Sequence, residues 1–151
     1  MGFENVLVLT DFSAGADEAL RDAVQFAEKF GSKLTILHVV QDETNLSFVL
    51  SDSEYHNLEK KLEKHAEKMF AALETKVPGL KNVAYQTLLK KGIPYIGCLY
   101  EIETGKYDLV FAGSHGKSDL KHIFVGSTSE KVLRRSPISV FVSRRKSSGR
   151  A

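Results

Sequence analysis

The chain has 151 residues, 42% hydrophobic and 26% charged, with a formal net charge of +2. That length suits a single domain with a sheet buried between helices, and the composition argues against a disordered chain. Without its basic end the chain is slightly acidic, which argues against a bulk nucleic-acid binder, and no apolar run approaches the roughly 20 residues that span a bilayer. The start, Met1 to Val6, carries an acid where a signal peptide carries base. Gly2 lacks the Ser or Thr at position 6 that myristoylation needs. Cys98 stands alone and has no internal disulfide partner, so a cytoplasmic location is expected. Basic charge gathers at the end, in Arg144, Arg145, Lys146 and Arg150. We therefore expect a folded domain over 1–143 and a basic, disordered tail over 144–151.

Asn5 to Leu9 is a continuous apolar run, the mark of a strand buried on both faces. Thr10-Asp-Phe-Ser13 ends it, and Asp11 or Ser13 is suited to cap the next helix. Ala16, Ala19, Leu20, Ala23, Ala27 and Phe30 then form one helical stripe that Gly31 closes. Lys33 to Val40 reads as the second strand and Gln41 to Leu50 as a loop. Leu46 to Tyr55 is a candidate lid or partner surface. Tyr55, Leu58, Leu62, Ala66, Met69, Leu73 and Val77 make a second helical stripe, opposite a face of mixed charge that reads as solvated. Pro78-Gly79 breaks it. Asn82 to Leu89 alternates and reads as a third strand nearer an edge. Lys91 to Pro94 is a turn, and Pro94 opens a helix that runs to Gly105. Tyr107 to Ala112 is the fourth strand. A glycine-rich loop, a short helix to Arg135 and a fifth strand, Ile138 to Ser143, complete the chain, with Pro137 fitting an edge position. This alternation implies an α/β fold: a five-stranded parallel sheet with helices on both faces.

In such sheets ligands sit beyond the carboxyl ends of strands, where the winding reverses. Two such ends attract notice: Thr10-Asp11 and the stretch Gly113 to Ser129. The latter runs from a strand through glycines into a helix start, the arrangement by which α/β proteins hold phosphate. Gly116-Lys117-Ser118 resembles the end of a P-loop, but Phe111 stands where that motif needs glycine. The first strand–helix turn lacks the dinucleotide glycines. The glycine pattern present is Gly113, Gly116 and then Gly126-Ser127, or Gly-x2-Gly-x9-Gly-Ser.

With that pattern the chain resembles the universal stress protein family, in its ATP-binding branch. Val8 to Ser13, Leu37-His-Val39, Gly92-Ile-Pro94 and Gly113 to Ser129 carry the resemblance. It implies a Rossmann-like sheet in the order 3-2-1-4-5 and a homodimer, which pairing of the apolar fifth strand would provide. It implies ATP as the ligand, with magnesium held through the phosphates rather than by protein side chains, and AMP or cyclic AMP as variants. By this resemblance Thr10 and Asp11 approach the ribose, and the backbone of Val39 meets adenine. Gly113, His115, Gly116 and Lys117 line the loop, and Gly126, Ser127, Thr128 and Ser129 face phosphate. Leu9 departs from the proline common before Thr-Asp.

Other roles compete for several of these residues. Ser127 to Glu130 is also a capping box, and Asp11 is also a plain helix cap. His115 and His122 lack acid or Cys partners at metal-ligand spacing. His38 reads as a core histidine, His56 and His65 as structural or exposed, and Cys98 as small packing. No nucleophile stands with a base and no carboxylates pair, so no enzyme is expected. The reading is an ATP-binding regulatory protein of the stress response, with protein partners unspecified and no specific nucleic acid or membrane contact. The alternatives are a slow ATPase using His115, Lys117 or Ser127, and an interaction module that binds no nucleotide.

Overall fold

The computed structural model describes residues 2–42, 44–114 and 127–144. Five strands form one parallel sheet: β1 (Asn5–Leu9), β2 (Lys33–Gln41), β3 (Tyr85–Gly92), β4 (Leu109–Gly113) and β5 (Val140–Ser143). Their order is β3-β2-β1-β4-β5, as expected. The helices are α1 (Ala14–Phe30), α2 (Asp52–Ala71), the single turn α3 (Leu73–Lys76), α4 (Pro94–Thr104) and α5 (Ser127–Arg135).

The unbroken apolar runs follow from cover on both faces of the sheet. Along β1, Val6 and Val8 join Leu20, Ala23, Leu34, Ile36, Leu73 and Phe111 in one core layer, built against α1, α2 and α3. Leu7 and Leu9 join Leu37, Val39, Cys98, Ile102, Val110 and Val132 in the other, built against α4 and α5. Alternate residues of one strand thus feed two separate cores.

Several boundaries differ from expectation. The stripe from Tyr55 to Val77 is not one helix: the chain breaks at Ala72, and α2 starts earlier, at Asp52, where Ser51 caps it by accepting the Glu54 N–H. A short 3₁₀ helix, Thr44–Phe48, lies within the expected loop. Phe48, its last residue, is 91% exposed, and Val49 after it is also exposed. A second 3₁₀ turn occupies Pro78–Asn82, so β3 begins at Tyr85 and continues along β2 through Gly92. The expected turn from Lys91 therefore starts inside the strand. β4 starts at Leu109, since Asp108 turns back to accept the Asn5 N–H. Ile138 likewise precedes β5, which begins at Val140. Phe30 does not belong to the buried stripe; it is exposed and packs its ring on Phe26 and Phe3. Gly31 closes α1 at φ 69°, and Pro94 opens α4, both as expected. Apart from Arg144, the tail lies outside the described residues.

Candidate functional site

β1 and β4 are neighbours, with Val6, Leu7 and Val8 beside Leu109, Val110 and Phe111. Extending that register by two places sets Thr10 beside Gly113. The chain leaves β1 for α1 on one face and leaves β4 for α5 on the other. The winding therefore reverses between them, and open α/β sheets bind ligands in the crevice at such a point.

On the β1 side the turn bonds to itself. Thr10 N–H continues the ladder to the Leu37 carbonyl at 2.9 Å. Thr10 Oγ1 accepts the Phe12 N–H at 2.9 Å, and Asp11 Oδ1 accepts the Ser13 N–H at 3.0 Å. Ser13 Oγ then caps α1 by accepting the Ala16 N–H at 3.2 Å. Of the two candidate caps, Ser13 is the one used; Asp11 closes an Asx turn one step earlier. Asp11 is half-buried at the rim.

Val39 lies in β2 beyond the end of β1. Lys33 N–H bonds toward β1 at Glu4, and the Leu37 carbonyl also faces β1, whereas Leu34 N–H bonds toward β3 at Ala84. Alternation therefore directs the main-chain N–H and C=O of Val39 to the β1 side, past Leu9 where that strand has ended. Its side chain is buried against α4, where a Cβ on Gly97 would come within 3.0 Å of Val39 Cγ2.

On the β4 side, Gly113 packs against the start of α1. A Cβ there would stand 2.6 Å from the Gly15 carbonyl oxygen and 2.7 Å from its carbon. Packing alone therefore requires this glycine, whatever the crevice binds. Ser114 is buried, and its N–H donates to the Ser143 carbonyl at 2.8 Å. His115, Gly116, Lys117 and Gly126 lie outside the described residues, as does His122. Ser127 opens the described part of α5. Ser127 is exposed, Thr128 and Ser129 are half-buried, and Glu130 pairs with Arg134 at 3.2 Å. The first turn of a nine-residue helix thus carries three hydroxyls.

His38, expected as a core histidine, is half-buried on β2 with its ring hydrogen-bonded and packed beside the Thr10–Ser13 turn. Its Nδ1 lies 2.8 Å from the Thr10 carbonyl, and its ring centre lies 4.5 Å from that of Phe12. The signal was its position one residue past the point where β2 loses β1 as a neighbour. Cys98 is buried and its thiol is pushed up to about 12 by desolvation, in keeping with packing. Among the described residues no three His, Cys, Asp or Glu side chains gather as a metal site would require.

A family model, that of the universal stress protein family, matches residues 2–144. This chain belongs to that family. It is similar to universal stress protein MJ0577 of Methanocaldococcus jannaschii, at 30% identity over an alignment of 162 positions, gaps included, that spans 97% of this chain and 98% of that protein. The solved structure of MJ0577 superposes with a TM-score of 0.83 and covers 98% of this chain and 100% of its own. The universal stress protein UspA from Lactobacillus plantarum, 27% identical, gives 0.80 over 95% of this chain and 99% of its own. The universal stress protein sheet order and the reversal between β1 and β4 are thus shared features of a whole-chain likeness.

Proposed function

We propose that this universal stress protein binds ATP in the crevice between the end of β1 and the stretch after β4, and acts in regulation rather than catalysis. The observation that carries the reading is the juxtaposition of the Thr10–Ser13 turn with Gly113 at the reversal of the sheet. In this reading Asp11 accepts ribose hydroxyls and the main chain of Val39 meets adenine. The phosphates run toward the start of α5, where Ser127, Thr128 and Ser129 join the helix dipole. Gly116, His115, Lys117 and Gly126 would complete the cradle, with any magnesium carried on the phosphates.

An adenine nucleotide is also in keeping with two distant relatives of the same fold. One universal stress protein structure is a complex with cyclic AMP, at 19% identity and a TM-score of 0.61 over 95% of this chain and 98% of its own. A family protein from Arabidopsis thaliana has AMP bound, at 16% identity and 0.58 over 95% of this chain and 93% of its own. AMP and cyclic AMP are therefore the ligands to test beside ATP. Among the described residues, Asp11 is the one acid in the turn at the crevice, and one of its oxygens already serves the Ser13 amide. That is a binding arrangement more than a base for water attack, so the regulatory reading stands ahead of the slow ATPase. We place the protein in the cytoplasm as a homodimer through β5; among the described residues no helix is long and apolar enough to cross a membrane.

The test is calorimetric titration of refolded, nucleotide-free protein with ATP, AMP and cyclic AMP, with mass spectrometry of whatever the native protein releases on denaturation. Saturable ATP binding that weakens about ten-fold in Asp11→Ala is the expected result, since a hydrogen bond to a charged group is worth about that much. No heat at millimolar ATP overturns the reading.

A further inference from the structure

We infer that His38 is a positioning residue: it holds the Thr10–Ser13 turn in the shape that sets Asp11 at the rim of the crevice. This deepens the function proposed above and rests on it. Among the described residues Phe12 is the one non-glycine residue with positive φ, at 63°. A bulky side chain rarely adopts that conformation, and it persists where the surroundings over-determine it.

Constraints on Phe12 arrive from three elements. At the end of β1, Thr10 Oγ1 accepts the Phe12 N–H. From α2, the Phe70 ring meets Phe12 edge-on at 5.1 Å. From β2, His38 acts on both sides of the bend. Its Nδ1 lies 2.8 Å from the Thr10 carbonyl, and its ring lies 4.5 Å from Phe12 and 6.4 Å from Phe70. A carbonyl only accepts, so Nδ1 carries the proton and donates. Asp11 sits between the residue that His38 bonds and the residue it stacks on. The Asx bond of Asp11 to Ser13 exists only while the chain bends this way at Phe12. His38 thereby fixes where a ribose-reading carboxylate stands, with no need to touch the ligand itself.

Two variants separate the bond from the ring. His38→Phe keeps an aromatic against Phe12 and removes the donor. His38→Asn keeps a donor nitrogen on Cγ and removes the ring. We expect His38→Phe to bind ATP about ten-fold more weakly, the scale of one lost hydrogen bond to a charged group. We expect it also to lose most of the wild-type preference for ATP over 2′-deoxy-ATP, because Asp11 is no longer held. His38→Asn should stay within about three-fold of wild type in both. A merely structural role would weaken the two nucleotides equally and spare the preference. Hydrogen exchange without ligand gives a second readout: the Phe12 and Ser13 amides should exchange at least about ten-fold faster in His38→Phe, while Leu7 and Val8 stay protected. Wild-type exchange at Phe12 and Ser13 together with an unchanged sugar preference overturns the inference. Should wild-type protein bind no adenine nucleotide, the proposed function falls, and the exchange data alone decide whether His38 holds the turn.

Discussion

Gly113 meets a packing demand whatever binds beside it. Its closeness to Gly15 involves main-chain atoms on both sides, which cannot swing away as a side chain would. Gly113→Ala must therefore push α1 from β4. We expect a cost at the upper end of the 1–3 kcal/mol usual for overpacking, read as a lower urea midpoint at unchanged m-value. A glycine needed only for an anion would leave that midpoint unmoved. Asp17, in the first turn of α1, is buried with Oδ1 unpartnered, and Lys76 lies 3.7 Å away on the other oxygen. Desolvation outweighs that pairing and raises its carboxyl above the ordinary 3.8. The folded chain thus holds this proton more tightly than the unfolded one. The ionised group carries a penalty that is complete above the folded pKa and fades as pH falls through it. Asp17→Asn should raise the thermal midpoint at pH 7, and its lead over wild type should shrink as the pH falls toward 4. A variant less stable than wild type at pH 7 would show that the Lys76 pair dominates. At this scale the sequence singled out Gly113 for a ligand and missed its packing against α1, because nothing in a linear pattern shows which helix will lie against it. The bend at Phe12 was invisible for a related cause: a left-handed phenylalanine is spelled like any other.

Helix ends were readable where side chains set them and obscure where the main chain did. Ser13 and Ser51 both accept an amide three residues on, and Ser51-Asp-Ser-Glu54 contains the spacing of a capping box. That signal was present in the sequence and would have placed the start of α2. The break at Ala72 had no such mark, because the apolar spacing of Leu73 and Val77 continues the stripe across it. The end of β3 was hidden too: Lys90, Lys91 and Gly92 pair with Val39, Val40 and Gln41 through main-chain bonds at a sheet edge, which need no apolar side chains. Ser13 is the more informative cap, since it stands between the Asx turn of Asp11 and the first turn of α1. Ser13→Ala should cost about 1 kcal/mol, measured by chemical denaturation. Its ATP affinity should fall less than in Asp11→Ala, because the Ser13 N–H that Asp11 accepts belongs to the main chain and survives the substitution.

At the scale of the molecule, apolar runs alternating with helical stripes were enough to define a two-faced parallel sheet, since the central strands β1, β2 and β4 must satisfy a core on both sides. The same patterns marked β3 and β5 as the edges, and the structure shows what each edge carries. β3 carries Lys90 and Lys91 along one edge, a charged guard of the kind that discourages strand pairing. β5 at the other edge has none: Val140, Phe141 and Val142 precede Ser143, and Phe141 is 47% exposed while stacked on Phe111 at 4.7 Å. A second copy is a self-complementary cover for such an edge, because two β5 strands related by a two-fold axis can pair main chain to main chain and bury both phenylalanines. We therefore expect wild-type protein to sediment as a dimer at micromolar concentration. Phe141→Lys should sediment as a folded monomer with its far-ultraviolet dichroism intact, since the exposed part of that ring is spent on the partner rather than on the fold. A wild-type monomer, or a dimer indifferent to the lysine, would move the contact away from β5. The crevice lies at the carboxyl end of the same sheet, one strand in from this edge, with Ser114 bonded to the last residue of β5. A twin seated on β5 would therefore brace the main chain where β4 ends, and if the proposed ATP site holds, ATP affinity in the lysine variant should drop together with the dimer.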